Sequence, residues 1–164
     1  MDRSPRHRNL GLSSRRRGFT LIELMIAVVV VALLAAVALP SFLDQIRKSR
    51  RAEAFTAISA VQQAQERWRG NNPEFSDDLS EIGIASATTG PGGYYTLAIT
   101  TPSGSERTEY IVTAVAVSGS SQVKDGNCAR LGVRVAGGQI SYASCATCTI
   151  ASATFTASDA CWNR

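Results

Sequence analysis

From Phe19 to Leu39 the chain runs for 21 residues in which only Thr20 and Glu23 are polar. A helix apolar on every side cannot lie on the surface of a water-soluble fold, because it has no face to give to solvent. At its natural rise such a segment reaches roughly 30 Å, about one bilayer core. A carboxylate inside it costs about 2.5 to 3.5 kcal/mol on insertion scales, so Glu23, the fifth residue of the run, needs a partner. Arg15-Arg16-Arg17-Gly18 precedes the run directly. Two plainer readings exist, an uncleaved membrane anchor and a secretory signal cut after Ala36-Val37-Ala38 so that Leu39 begins the product. The length of the run, the acid within it, and a helical pattern that continues past Pro40 speak against the signal.

At Arg15-Arg16-Arg17-Gly18-Phe19-Thr20-Leu21-Ile22-Glu23 the chain resembles the type IV pilin family, whose members carry a short basic leader ending in Gly and a Phe-Thr-Leu-Ile-Glu helix start. The resemblance implies cleavage between Gly18 and Phe19 by prepilin peptidase, methylation of the new Phe19 amine, an assembly role for Glu23 and a helix kink at Pro40. Type II secretion pseudopilins share this motif. Arg47-Lys48-Ser49-Arg50-Arg51, Gly93-Tyr94-Tyr95 and Cys161-Trp162 look most like PilE/ComP-type minor pilins of Gram-negative bacteria. The implied partners are other pilin subunits, the peptidase, the inner-membrane assembly machinery, and the membrane itself before assembly.

Residues 1–18 are then a leader, 19–43 a transmembrane and assembly helix, and 44–164 a head that includes the amphipathic second half of the helix. The whole chain is +4, but the leader holds six arginines against Asp2, so the remainder is close to neutral. Beyond Gly70 acids outnumber bases, which gives no broad attraction to nucleic acid. The arginines beside Phe19 favour a cytoplasmic amino terminus, which places the head in the periplasm before export to an extracellular pilus.

Past Pro40, Phe42, Ile46, Phe55, Ile58, Val61 and Trp68 recur at helical spacing, and Gly70-Asn71-Asn72-Pro73 ends the pattern. Gly70 suits a left-handed cap. The Arg47–Arg51 cluster reads as a solvated face that also meets lipid headgroups. A short helical turn is expected at Asp77–Ile82, capped by Ser76. Tyr94–Thr101 and Glu109–Val117 read as one hairpin, and Leu131–Val135 with Gln139–Tyr142 flank Gly137-Gly138 as a second. A weak further strand is expected at Thr149–Thr156. The fold class is α+β, the pilin fold: a long helix whose second half packs on an antiparallel sheet of about four strands.

Cys128, Cys145, Cys148 and Cys161 all lie in the last 37 residues, and behind an export signal they favour disulfides. The family resemblance implies a carboxy-terminal loop closed by Cys128 and Cys161, which in the chain-entropy model adds about 3 to 4 kcal/mol, with Cys145 and Cys148 pairing locally. A two-residue turn at Gly137-Gly138 would set Ala136 opposite Gln139 and bring Cys128 towards Thr147, so a Cys128 link to Cys145 or Cys148 stays open. The CxxC spacing also fits redox and zinc sites, but the sole histidine, His7, is in the leader. No cofactor, no metal and no catalytic set is expected.

The functional expectation is a non-catalytic pilus subunit serving adhesion, twitching motility or DNA uptake. The alternatives are a secretion pseudopilin and a DNA receptor for natural transformation. The receptor would need a basic strip, with Lys124, Arg130 and Arg134 as candidate contacts, joined by Arg67 or Arg69.

Overall fold

The helix α1 spans Leu21–Arg69, 49 residues with Pro40 inside it. It belongs to a computed structural model that describes residues 18–85, 87–89 and 92–162. The leader arginines and His7 lie outside the described residues. At the start of α1, the Thr20 side-chain oxygen accepts from the Glu23 amide (3.2 Å) and its carbonyl accepts from Leu24 (3.2 Å), so Thr20 is the cap. At the other end Gly70 does not adopt positive φ, contrary to expectation. Asn72 removes the need, because its side-chain amide donates to the Trp68 carbonyl (3.0 Å), which also accepts from Asn71 (3.0 Å).

The chain divides into two compact units, one ending at Pro40 and the other beginning at Ser41. In the first, the large apolar side chains between Phe19 and Leu39 are 48 to 83% exposed. In the second, Ala54, Ile58, Val61 and Gln65 recur at helical spacing and are buried against a four-stranded antiparallel sheet. The strands β1 (Tyr95–Thr100), β2 (Glu109–Ala116), β3 (Arg130–Ala136) and β4 (Gln139–Cys145) lie in the order β1-β2-β3-β4. Leu97, Val112, Leu131 and Val133 are among the side chains on the helix side of the sheet.

Gly137 and Gly138 have φ of 56° and 81°, the pair of positive values a two-residue hairpin turn requires. Ala136 therefore pairs with Gln139 and Arg130 with Cys145, the register that the turn dictates. Each outer strand carries an extra bridge, Thr88 to Thr96 on β1 and Thr156 to Tyr142 on β4.

Two further local expectations fail. The segment Asp77–Ile82 forms turns rather than a helix. The Ser76 hydroxyl does accept from the Asp78 amide (2.9 Å), but Asp78 then accepts from Ser80 (2.7 Å) and Gly83, at φ 82°, closes the chain after a single turn. Nor is Thr149–Thr156 a strand: Ile150–Ser152 is a 3-10 turn, and only Thr156 touches a strand backbone. Ile150 is drawn instead onto the sheet face opposite α1, where Gly132 leaves room for it. A Cβ at Gly132 would stand 2.1 Å from the Ile150 methyl, so only hydrogen fits.

Candidate functional site

Gly18, Phe19 and Thr20 precede the first helical residue, and Phe19 is 83% exposed. Glu23 falls three residues after the capping Thr20, the acid position of a capping box, a signal that Thr20-Leu21-Ile22-Glu23 already carried. From Leu21 to Leu43 the large apolar residues are all exposed, and the 18-residue window that could span a membrane has nothing buried in the protein itself. A side chain in that state loses free energy in water, so the segment is built for lipid or for other apolar helices.

The basic run Arg47–Arg51 departs from the solvated face expected of it. Arg47 pairs with Asp44 at 2.6 Å, and Arg50 bonds the Ser121 hydroxyl while stacking 4.2 Å over the Tyr94 ring. Arg51 turns inward: its Nε lies 2.8 Å from an Asp125 carboxylate oxygen, with 12% and 8% of the two side chains exposed. It also donates to the Cys128 sulfur (3.2 Å) and the Cys161 carbonyl (3.4 Å). Burial raises the Asp125 carboxyl above its ordinary range, and the Arg51 charge opposes that shift. Only Lys48 and Ser49 of the run remain exposed.

Cys128 is joined to Cys161 and Cys145 to Cys148. The first bond clamps the carboxy terminus beside Arg51, where Trp162 packs on Phe55 and Tyr142 with ring centres 4.7 and 4.9 Å away. Buried polar side chains tie the connecting loops to α1. Gln65 donates to the Ser76 carbonyl and accepts from its amide (3.1 Å), and Gln122 donates to the Tyr95 phenol oxygen (2.8 Å) and the Arg47 carbonyl (3.2 Å). Nothing in the sequence pattern marked these two glutamines, because burial of an amide depends on the partner loop.

The candidate DNA contacts do not converge. Arg134 is held by both oxygens of Glu109 (2.7 and 2.9 Å), which raises its pKa further and cancels its charge locally. Arg130 donates to the Cys148 carbonyl (2.9 Å). Both alternate with core-facing Leu131, Val133 and Val135, so they occupy the sheet face away from α1. Arg69 is at the end of α1, donating to the Asn72 and Arg107 carbonyls (2.8 and 3.1 Å), while Arg67 and Lys124 are exposed. Among the described residues no group of acids, cysteines or histidines could hold a metal ion.

A family model described as "Type IV minor pilin ComP, DNA uptake sequence receptor" matches residues 40–132, and a prokaryotic N-terminal methylation motif matches residues 13–39. The type IV major pilin protein PilA of Myxococcus xanthus is 41% identical over 80 residues, 49% of this chain and 36% of that protein. A fimbrial protein of Neisseria meningitidis serogroup A is 35% identical over 83 residues, 51% of this chain and 49% of its own length. A type IV major pilin protein PilE1 of Neisseria gonorrhoeae is 30% identical over 107 residues, covering 65% and 61%. The match thus spans about a third to three-fifths of these relatives.

Proposed function

The chain belongs to the type IV pilin family, and we propose that it is a non-catalytic minor subunit, cut after Gly18 by prepilin peptidase and drawn from the membrane into a fibre through its amino-terminal helix. The observation that carries this reading is the exposed apolar surface from Phe19 to Leu43, left open by the described residues of the chain. Lipid covers it before assembly and the helices of neighbouring subunits cover it afterwards. On leaving lipid for a helical bundle, Glu23 meets the Phe19 amine of a neighbour, so that two charges costly to bury alone satisfy each other and set the axial register. The head stands on the periplasmic side before export.

Purified surface fibres test this directly. Mass spectrometry should find a subunit that begins with methylated Phe19, present at a small fraction of the main subunit. Replacing Gly18 with Leu should leave the leader attached. A mature product starting at Leu39 would overturn the proposal, and abundance equal to the main subunit would overturn the minor role.

A second reading, display of a DNA receptor, is favoured by the description of the matching family. Its support among the basic residues is narrow: among the described residues Lys124 and Arg67 are exposed and without a partner, whereas Arg134 is paired with Glu109 and Arg130 is spent on a backbone carbonyl. Salt-dependent duplex binding by the full mature chain, lost on Lys124→Ala, would support it; no binding at low salt would remove it.

A further inference from the structure

The two disulfides differ in what surrounds them. Cys128 and Cys161 are 33 residues apart, Cys161 is 4% exposed, and the Arg51 guanidinium beside the Cys128 sulfur already has its charge compensated by Asp125. Cys145 and Cys148 are only 3 residues apart and half-buried, with exposed Ala146 and Thr147 forming the tip between them. Thiols so close in sequence meet readily even in an unfolded chain, so linking them withholds little freedom and the head does not depend on the bond. An attacking thiolate can reach this ring from solvent. Arg130, the cross-strand partner of Cys145, holds the Cys148 carbonyl and forms no ion pair among the described residues. A guanidinium placed there stabilises a thiolate as it forms.

Beyond the ring the chain turns back over the sheet face opposite α1. Ile150, 3% exposed, and Phe155 sit over Gly132, and Thr156 exchanges hydrogen bonds with Tyr142 (2.7 and 2.9 Å) at the outer edge of β4. The ring fixes where that flap begins. We infer that Cys145–Cys148 is a thiol–disulfide exchange site for a dithiol reductant, and that opening it releases residues 149–156 from the outer face of the sheet. This stands apart from the fibre reading, since it uses no residue of the apolar helix.

The exchange balances as follows. One thiolate of the dithiol attacks the Cys148 sulfur, a mixed disulfide forms, and Cys145 leaves with the electron pair as a thiolate beside Arg130. The second thiol of the reductant, once deprotonated, attacks its own sulfur in the mixed disulfide and expels the Cys148 thiolate. Two electrons pass from the dithiol, which departs as a cyclic disulfide, and the two cysteine thiolates take protons from water.

The test treats the full mature chain in detergent with graded dithiothreitol, quenches in acid, alkylates, and maps the labelled cysteines by mass. Cys145 and Cys148 should label together at about one-tenth or less of the reductant concentration needed for Cys128 and Cys161. In that interval, amide exchange at residues 149–156 and Tyr142 should quicken at least about tenfold while Val112 stays protected. Arg130→Gln should slow the reduction about three- to tenfold, and Arg130→Lys should recover most of the rate. Simultaneous labelling of all four cysteines would overturn the site. Selective labelling with unchanged exchange would overturn release of the flap, and an unaltered rate in Arg130→Gln would remove the part given to the guanidinium.

Discussion

Between Phe19 and Leu39 the large apolar side chains stand 48 to 83% exposed, whereas Ile58, Tyr95, Val112 and Leu131 in the head are at most 1% exposed. The same kinds of residue serve two ends. In the head, their burial against one another drives folding, and buried glutamines, an ion pair and the Cys128–Cys161 disulfide fix the loops around that core. In the amino-terminal segment the backbone satisfies itself as a helix, and the side chains gain their stabilisation only from lipid or from other helices. The head carries its own solvent-excluding partner; the apolar segment leaves that partner to the surroundings. Damage to one region should therefore leave the other intact.

The largest effect on the head should follow removal of its long-range disulfide. Cys128→Ala with Cys161→Ala is expected to cost about 4 kcal/mol in the chain-entropy model, read as a lower denaturation midpoint of the mature chain in mild detergent. Arg51→Ala comes next at about 3 kcal/mol, because it strands the buried Asp125 carboxylate; Arg51→Ala combined with Asp125→Ala should cost less than the single change. Alkali should act more gradually. Burial pushes the phenols of Tyr95 and Tyr110 up to about 12, so the head holds their neutral forms more strongly than the unfolded chain does. Their contribution is complete below the unfolded value of about 10 and is lost as pH rises through the folded one, so stability should fall between about pH 10 and 12 alongside tyrosinate absorbance. Glu23→Val marks the small end: the head's denaturation midpoint should not move, while incorporation into fibres falls at least about tenfold. A shifted midpoint in that variant would mean that the two regions are not energetically separate.

Much of this division could be read from residue order. The apolar run had no polar face to hide, the Phe55-Ile58-Val61-Trp68 spacing marked the side of the helix that the sheet covers, and Gly137-Gly138 fixed the pairing of β3 with β4 to the residue. Errors arose where a local preference met a tertiary demand. Thr149–Thr156 has the composition of a strand, yet Ile150 is worth more over Gly132 than in a ladder. Asp77-Asp78 suited a helix start, but Gly83 ended the chain direction after one turn. Gly70 could have capped α1, and Asn72 supplied the donor instead. The arginine run has the look of a solvated face because charge says nothing of what will fold back over it, and the acid that claims Arg51 lies 74 residues away. Spacing left the cysteine connectivity open for a related reason: the β3–β4 register brings Cys128 near the CxxC pair, and only the path of the final residues takes Cys161 to it.

The bridges at Thr88–Thr96 and Tyr142–Thr156 occupy part of the outward backbone on both flanks of the sheet. Sheets with bare flanks tend to zip onto one another when packed at high density. A protein whose heads are blunted on both flanks can be concentrated in two dimensions, or strung closely along a filament, without the heads fusing into shared β-structure. Blunting both flanks narrows one route to self-association and leaves the exposed apolar helix as the other.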